Sequence, residues 1–197
     1  MRASLASFRT STSGSRTLRS RRIRRSVVAA GCALLSVTAA CAPMPVRTVA
    51  LESVDLNQYV GKWYEIASVK QFFSVGLVGT TAEYTPLPDG TIQVINRGRF
   101  LSFDGPEAAI EGRARPTDST NAKLSVTFNG SFGPSNYWIV ALDESYQWAV
   151  VSDGTGSSAF FLSRTPSVST ETYAEMYAKA QIAGVDLSNL TPTTQQS

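Results

Sequence analysis

The chemistry open to this chain is narrowed first by what it lacks. Among its 197 residues there is no histidine. No Ser-His or Cys-His nucleophile can be assembled, no imidazole-ligated zinc site exists, and no histidine switch operates near neutral pH. Two cysteines are present, Cys32 and Cys41. Cys32 lies inside an uncharged apolar run, and Cys41 follows the small residues Thr38-Ala39-Ala40. One carboxylate stands out: Glu65 shares strand parity with Trp63. A carboxylate enclosed by protein has a raised pKa and can act as an acid or base. The preferred reading is blander, a glutamate hydrogen-bonded near the base of the sheet or turned outward by a strand bend. No residue cluster calls for a metal or a cofactor.

Charge is unevenly distributed. The 18 lysines and arginines exceed the 15 aspartates and glutamates, and the pI is about 9.0. Eight of the basic residues, all arginines, fall between Arg2 and Arg25, and the first acidic residue is Glu52. From Cys41 onward, 10 basic residues face 15 acidic ones, a net charge of −5. The basic pI belongs to the N-terminus and gives no ground for nucleic-acid binding by the remainder. At 43% apolar and 17% charged residues, the composition is that of a globular protein with material for a core.

The N-terminal segment has the order of an export signal: arginines up to Arg25, an apolar run from Ser26 to Ala40, then small residues at a cut site. The residues before Cys41 resemble the lipobox of bacterial lipoproteins, with Thr38 where leucine is commonest. The resemblance implies that residues 1–40 are a lipoprotein signal peptide and that Cys41 carries a thioether-linked diacylglycerol as the mature N-terminus. The protein is then expected in the cell envelope, anchored to a membrane at Cys41, at the outer membrane if the source has one. An uncleaved membrane helix over Ser26–Val46 is opposed by Pro43 and Pro45. The pairs Arg21-Arg22 and Arg24-Arg25 leave the export route open. Residues 41–53 read as a tether.

Beyond Gly61, turn signals recur every 8–15 residues or so. They are Pro86 to Gly90, Asp104-Gly105-Pro106, Pro116 to Asn121, Asn129-Gly130, Asp143-Glu144-Ser145 and Asp153-Gly154. A longer connection runs from Gln71 to Val78. Between these lie eight runs rich in Val, Ile, Thr, Phe and Tyr, predicted as strands over 62–70, 79–85, 91–99, 107–115, 122–128, 136–142, 147–152 and 159–165. Alternation puts Leu124, Val126 and Phe128 on one face, and Ala108, Ile110, Gly112 and Ala114 on one face of the strand from 107. Glu107 and Glu111 can pair with Arg97 and Arg99 across a wet face. One helix follows, with Ser169 as N-cap, Glu171 in its first turn, a stripe of Tyr173, Met176, Tyr177 and Ala180, and Gly184 at its end. The tail from Thr191 is expected to be flexible. The fold class is all-β, an eight-stranded antiparallel sandwich or meander barrel with one C-terminal helix outside.

Three motifs, in order, narrow this further. Gly61-Lys62-Trp63 resembles the Gly-x-Trp signature of the lipocalins. Tyr137 to Asp143, with Tyr146 and Trp148 after it, resembles the motif joining that family's sixth and seventh strands. Leu162-Ser163-Arg164-Thr165-Pro166 resembles the last-strand motif. The wider strings look most like the bacterial lipoprotein lipocalins, a group close to the plant temperature-induced lipocalins and apolipoprotein D. The resemblance implies an up-and-down barrel over residues 54–190, with Gly61, Trp63 and Arg164 as structural signature residues at its closed end. It also implies a non-enzymatic carrier of a small hydrophobic ligand, of fatty-acid or lysophospholipid type, with a part in envelope lipid maintenance or stress response. Inward parity names Tyr84, Ala82, Ile110, Leu124, Val126, Phe128, Trp138 and Val140 as ligand-lining residues, Trp138 foremost. Two other classes stay open: a lipid-acting enzyme on the same fold, and a barrel whose bore is filled by side chains. Eight strands are compatible with a filled bore or one small ligand, a general case for which lipocalins are a standard example.

Overall fold

A computed structural model describes residues 48–71, 74–130 and 133–196. The predicted signal peptide, Cys41 and the first part of the tether lie outside the described residues, as do Phe72 and Phe73. The elements are α1 (Leu56–Tyr59), β1 (Gly61–Val69), β2 (Leu77–Pro86), β3 (Ile92–Phe100), β4 (Glu107–Pro116), β5 (Lys123–Phe128), β6 (Ser135–Leu142), β7 (Trp148–Ser152), β8 (Ala159–Ser163), α2 (Thr170–Ile182) and β9 (Leu190–Pro192). Strands β1 to β8 pair antiparallel with their chain neighbours, and β8 returns to β1. The sheet is therefore a closed barrel with no free edge among these strands. Turns β2–β3, β4–β5 and β6–β7 lie at one end with α1; the other four connections rim the opposite, open end.

Alternation is cleanest where the outer face meets water. On β3 and β4, Val94, Gly112 and Ala114 are buried while Arg97, Arg99, Glu107, Glu111 and Arg113 are exposed. Arg99 meets Glu107 at 3.5 Å. Glu111 instead accepts a bond from Gln93. Such exposed pairs contribute little stability, and the hydrophobic inner face decides the register.

Two apolar clusters divide the core. The first fills the barrel's closed half and includes Tyr59, Trp63, Tyr84, Val94, Leu124, Val126, Ile139, Val151 and Leu162. The second lies outside the barrel, where Met176 and Ala180 of α2 pack on Val140, Ala141, Trp148, Val150 and Phe161. Ser169 caps α2 by accepting from the Thr172 backbone N–H.

Two ends of the chain differ from expectation. The tail from Thr191 is not loose. Strand β9 pairs with the upper half of β1, where β1 and β2 splay apart. The tail then bridges the gap: the Gly79 backbone N–H donates to the Thr194 carbonyl, and Gln195 Nε2 donates to the carbonyls of Glu65 and Thr80 at 2.8 Å each. The tether reading also ends early, since residues 48–54 are bonded along the barrel, Leu51 N–H to the Ile139 carbonyl and Val54 N–H to the Thr120 carbonyl.

Candidate functional site

The closed end is built around Trp63. Its indole is fully buried and donates to the Tyr59 carbonyl at 2.8 Å. The Arg164 guanidinium lies 3.7 Å from the ring centroid, a cation–π contact. Arg164 also donates to the carbonyls of Gln58, Tyr59, Val60, Lys62 and Tyr146. One planar fork thereby ties α1, the start of β1 and the β6–β7 turn together. Gly61 sits at φ +99 beside the Arg164 guanidinium, a backbone conformation that glycine adopts without strain.

Above Trp63 three tyrosines from distant parts of the chain meet. Tyr59 and Tyr137 hydroxyls are 2.6 Å apart, and Tyr84 and Tyr137 hydroxyls 2.8 Å. Tyr84 stands edge-on to Tyr137 with ring centroids 5.9 Å apart. Burial pushes the Tyr84 pKa up to about 12. Burial also raises Tyr59 and Tyr137 well above the ordinary phenol value, so all three stay protonated at neutral pH. Three hydroxyl protons serve two mutual bonds, which leaves one donor uncommitted within this network. The tyrosines form the floor of the bore.

Ala82, Tyr84, Leu124 and Val126 join the inner cluster, and Phe128 packs against it. The Phe128 ring lies over Gly112 of β4, where a Cβ would approach within 2.7 Å. Ile110 shares inward parity with Gly112 yet is 41% exposed, so the bore is open to solvent at that level. Thr80 Oγ1 and Asn96 Oδ1 are buried without a hydrogen-bond partner among the described residues.

Trp138 and Val140 are on the opposite face from the one expected. Both belong to the outer cluster under α2. Trp138 pairs across the sheet with Lys123, whose ammonium is 5.0 Å from its ring, and the indole abuts Gly154. The inward residues of β6 are Tyr137, opposite Leu124, and Ile139. The strand Tyr-Trp-Ile-Val-Ala-Leu is apolar on both faces because α2 covers its outside, so alternation carries no phase there. A bulge between Ile139 and Ala141 then puts Val140 and Ala141 together in the outer cluster. The pairing of Tyr137 with the securely inward Leu124 is the signal that would have set the phase.

Glu65 is buried and faces the upper bore. Its Oε1 accepts from Lys70 Nζ at 2.6 Å, from Ser68 Oγ at 2.9 Å and from Thr193 Oγ1. Its neighbours identify it as the anchor of the C-terminal tail. Outside the bore, a concavity of about 460 Å³ on the β1–β2–β3 wall is lined by Lys62, Tyr64, Arg97, Arg99 and Phe103 among others. A second of about 390 Å³ lies between the start of α2 and the tail. Neither includes the inward residues named above. Among the described residues no three acidic or thiol side chains gather to hold a metal ion, and no helix is long and apolar enough to cross a membrane.

The chain forms a closed eight-stranded antiparallel barrel with a Trp–Arg plug and an outer C-terminal helix, and sequence comparison makes the class specific. A model of the lipocalin-like domain matches residues 54–195. The chain is 38% identical over 164 residues to the outer membrane lipoprotein Blc of Escherichia coli K12, covering 82% of this chain and 92% of the relative. It is 37% identical to temperature-induced lipocalin-1 of Arabidopsis thaliana, covering 74% and 81%. To apolipoprotein D of Mus musculus it is 32% identical, covering 79% and 82%. Among solved structures, lobster apocrustacyanin A1 superposes with a TM-score of 0.58 at 16% identity, covering 77% of this chain and 92% of that one. Insecticyanin of Manduca sexta gives 0.60 at 17% identity, covering 76% and 85%. The chain belongs to the lipocalins.

Proposed function

We propose that this lipocalin is a non-enzymatic, lipid-anchored binding protein that takes an amphiphile of fatty-acid or lysophospholipid type into the upper bore, acyl chain first. The observation that carries the reading is the inner wall above the tyrosine floor. Ala82, Ala108, Ile110 and Gly112 are small or apolar, and Ile110 is reachable by solvent although it faces inward. Burying methylenes there supplies up to ~0.8 kcal/mol each. Tyr84, Leu124 and Val126 then form the floor packing, and Ala82, Ile110 and Phe128 meet the chain. The unpartnered Thr80 Oγ1 and Asn96 Oδ1 suit a ligand that carries a hydroxyl or carbonyl as well as methylenes. The export-signal pattern and the outer membrane lipoproteins among the relatives support acylation at Cys41 and residence in the envelope, where the protein would hold or pass on lipid.

The test is native mass spectrometry of protein extracted mildly from membranes, followed by fatty-acid titration across chain lengths. A copurified acyl lipid and an affinity that climbs with chain length until the bore is full are expected. An empty protein whose affinity ignores chain length would refute the reading. Turnover of lipid esters would favour the enzyme alternative, for which Glu65 is a poor candidate while Lys70, Ser68 and Thr193 engage it.

A further inference from the structure

The described chain begins at the open end of the barrel. Thr48 and Gly184 both press against Gly156, which belongs to the β7–β8 connection on the open rim. The Asp186 backbone N–H donates to the Gly156 carbonyl at 2.9 Å. Hydrogen bonds of Val49 to Ala183, Leu51 to Ile139 and Val54 to Thr120 then lead the chain down to the closed end. That descent from Thr48 to Val54 takes about 20 Å of extended chain. Cys41 is seven residues upstream of Thr48, a reach of at most ~25 Å. A tether of that length leaves from the rim. To bring the closed end onto a membrane it would have to double back along nearly the whole barrel.

The same end carries the exposed apolar surface. The large hydrophobic side chains most open to solvent among the described residues are Val49, Val75, Phe100, Leu101, Ile110 and Ile182. Val75, Phe100 and Leu101 are on the rim, Ile110 faces the bore, and Val49 and Ile182 flank the point where the tether enters. None is in the closed-end turns. Leu101 is 85% exposed at φ 65, a conformation that leucine rarely adopts. Its backbone N–H donates to the Gly76 carbonyl at 2.7 Å, which locks the β3–β4 tip to the β1–β2 tip. A strained leucine held outward in water is unexplained by the fold, and apolar tips rimmed by polar residues mark an interaction surface.

We propose that the open end of the barrel rests on the membrane that holds the anchor, with Val75, Phe100 and Leu101 dipping into its interface, so that acyl chains pass between bilayer and bore without crossing water. The occupant of the rim is a lipid bilayer, because the tether leaves at that end and is too short to present another face easily. The net negative charge of the mature chain means that apolar insertion, not attraction to anionic lipid, seats the rim. This inference rests on the reading of Cys41 as acylated.

The mature chain has no cysteine besides Cys41, so an introduced thiol is uniquely labelled once Cys41 is a thioether. Val75→Cys, Leu101→Cys and Ser119→Cys, the last an exposed residue of the β4–β5 turn at the closed end, are labelled with an environment-sensitive fluorophore. The acylated full-length products are placed in vesicles of phosphatidylethanolamine and phosphatidylglycerol containing a nitroxide-labelled phospholipid. Loss of most fluorescence at 75 and 101, with no change at 119, is the expected result. Quenching at 119, or at none of the three, overturns the orientation. Shielding of 75 and 101 that is equal in lipid-free Cys41→Ser protein also overturns it, by assigning the rim to a second copy. Intact mass of each product reports acylation separately: an unacylated mature chain refutes the anchor itself, and the orientation falls with it.

Discussion

Tyr137→Phe is the substitution that most sharply tests the floor of the bore. The Tyr137 hydroxyl is the centre of the network, 2.6 Å from Tyr59 and 2.8 Å from Tyr84. Its removal leaves the ring packing intact but strands two hydroxyls in surroundings where Tyr59 and Tyr84 are 1% and 4% exposed. Each buried hydroxyl left without a partner costs about 1–3 kcal/mol, so Tyr137→Phe, which strands two, is expected to destabilise by about 2–6 kcal/mol. Tyr59→Phe or Tyr84→Phe removes one bond while Tyr137 keeps the other, at a cost of about 1 kcal/mol. Replacing all three by phenylalanine leaves no orphaned hydroxyl and is expected to be less damaging than Tyr137→Phe by itself, a strong departure from additivity. Urea denaturation of Cys41→Ser protein, followed by circular dichroism, measures the series, with unchanged m-values as the check that the unfolding reaction is the same. A triple variant whose cost equals the sum of the singles, or a Tyr137→Phe no worse than either end, would show that the hydroxyls do not act as one network.

The same tyrosines set an alkaline limit. Their pKa values are raised in the fold, Tyr84 to about 12, against an unfolded value of about 10, so the stability they contribute is complete below pH 10 and is lost as pH climbs toward 12. Tyrosinate absorbance near 295 nm is expected to rise together with the loss of circular dichroism, and the triple phenylalanine variant is expected to unfold at higher pH. At the plug, Trp63→Ala should cost about 3–5 kcal/mol, and its double-mutant cycle with Arg164→Ala should be non-additive because the two groups stack; strict additivity would deny the contact. Lys70→Met takes the ion-pair partner from the buried Glu65, and a loss of about 2–4 kcal/mol with release of the tail is expected, partly recovered by adding Glu65→Gln; proteolysis of residues 190–197 reads the release. Trp138→Arg, on the outer face, should weaken the packing beneath α2 and lower stability while leaving the fatty-acid affinity of the folded protein intact, and loss of binding in a folded variant would return Trp138 to the bore.

The sequence by itself determined the eight barrel strands and their hairpin order. Asp-Gly and Asn-Gly turns, and alternation on strands such as β3 and β4 whose outer face is wet, are local properties that survive without knowledge of neighbours. The pairing of Trp63 with Arg164 was legible through the resemblance of Gly61–Trp63 and Leu162–Pro166 to the lipocalin motifs, not through their spacing. The tertiary structure decided the rest. The phase of β6 was set by α2, which covers its outer face and erases the polar signal that would separate Tyr137 from Trp138. Strand β9 forms because β1 and β2 part above the Glu65 bulge and leave backbone groups to pair, a vacancy that the polar string Thr191 to Gln195 does not announce. The tyrosine floor joins residues 59, 84 and 137, whose proximity exists once the barrel closes. Local turn chemistry and wet-face alternation are written residue by residue, whereas coverage, bulges and contacts across the bore arise when the whole chain has packed.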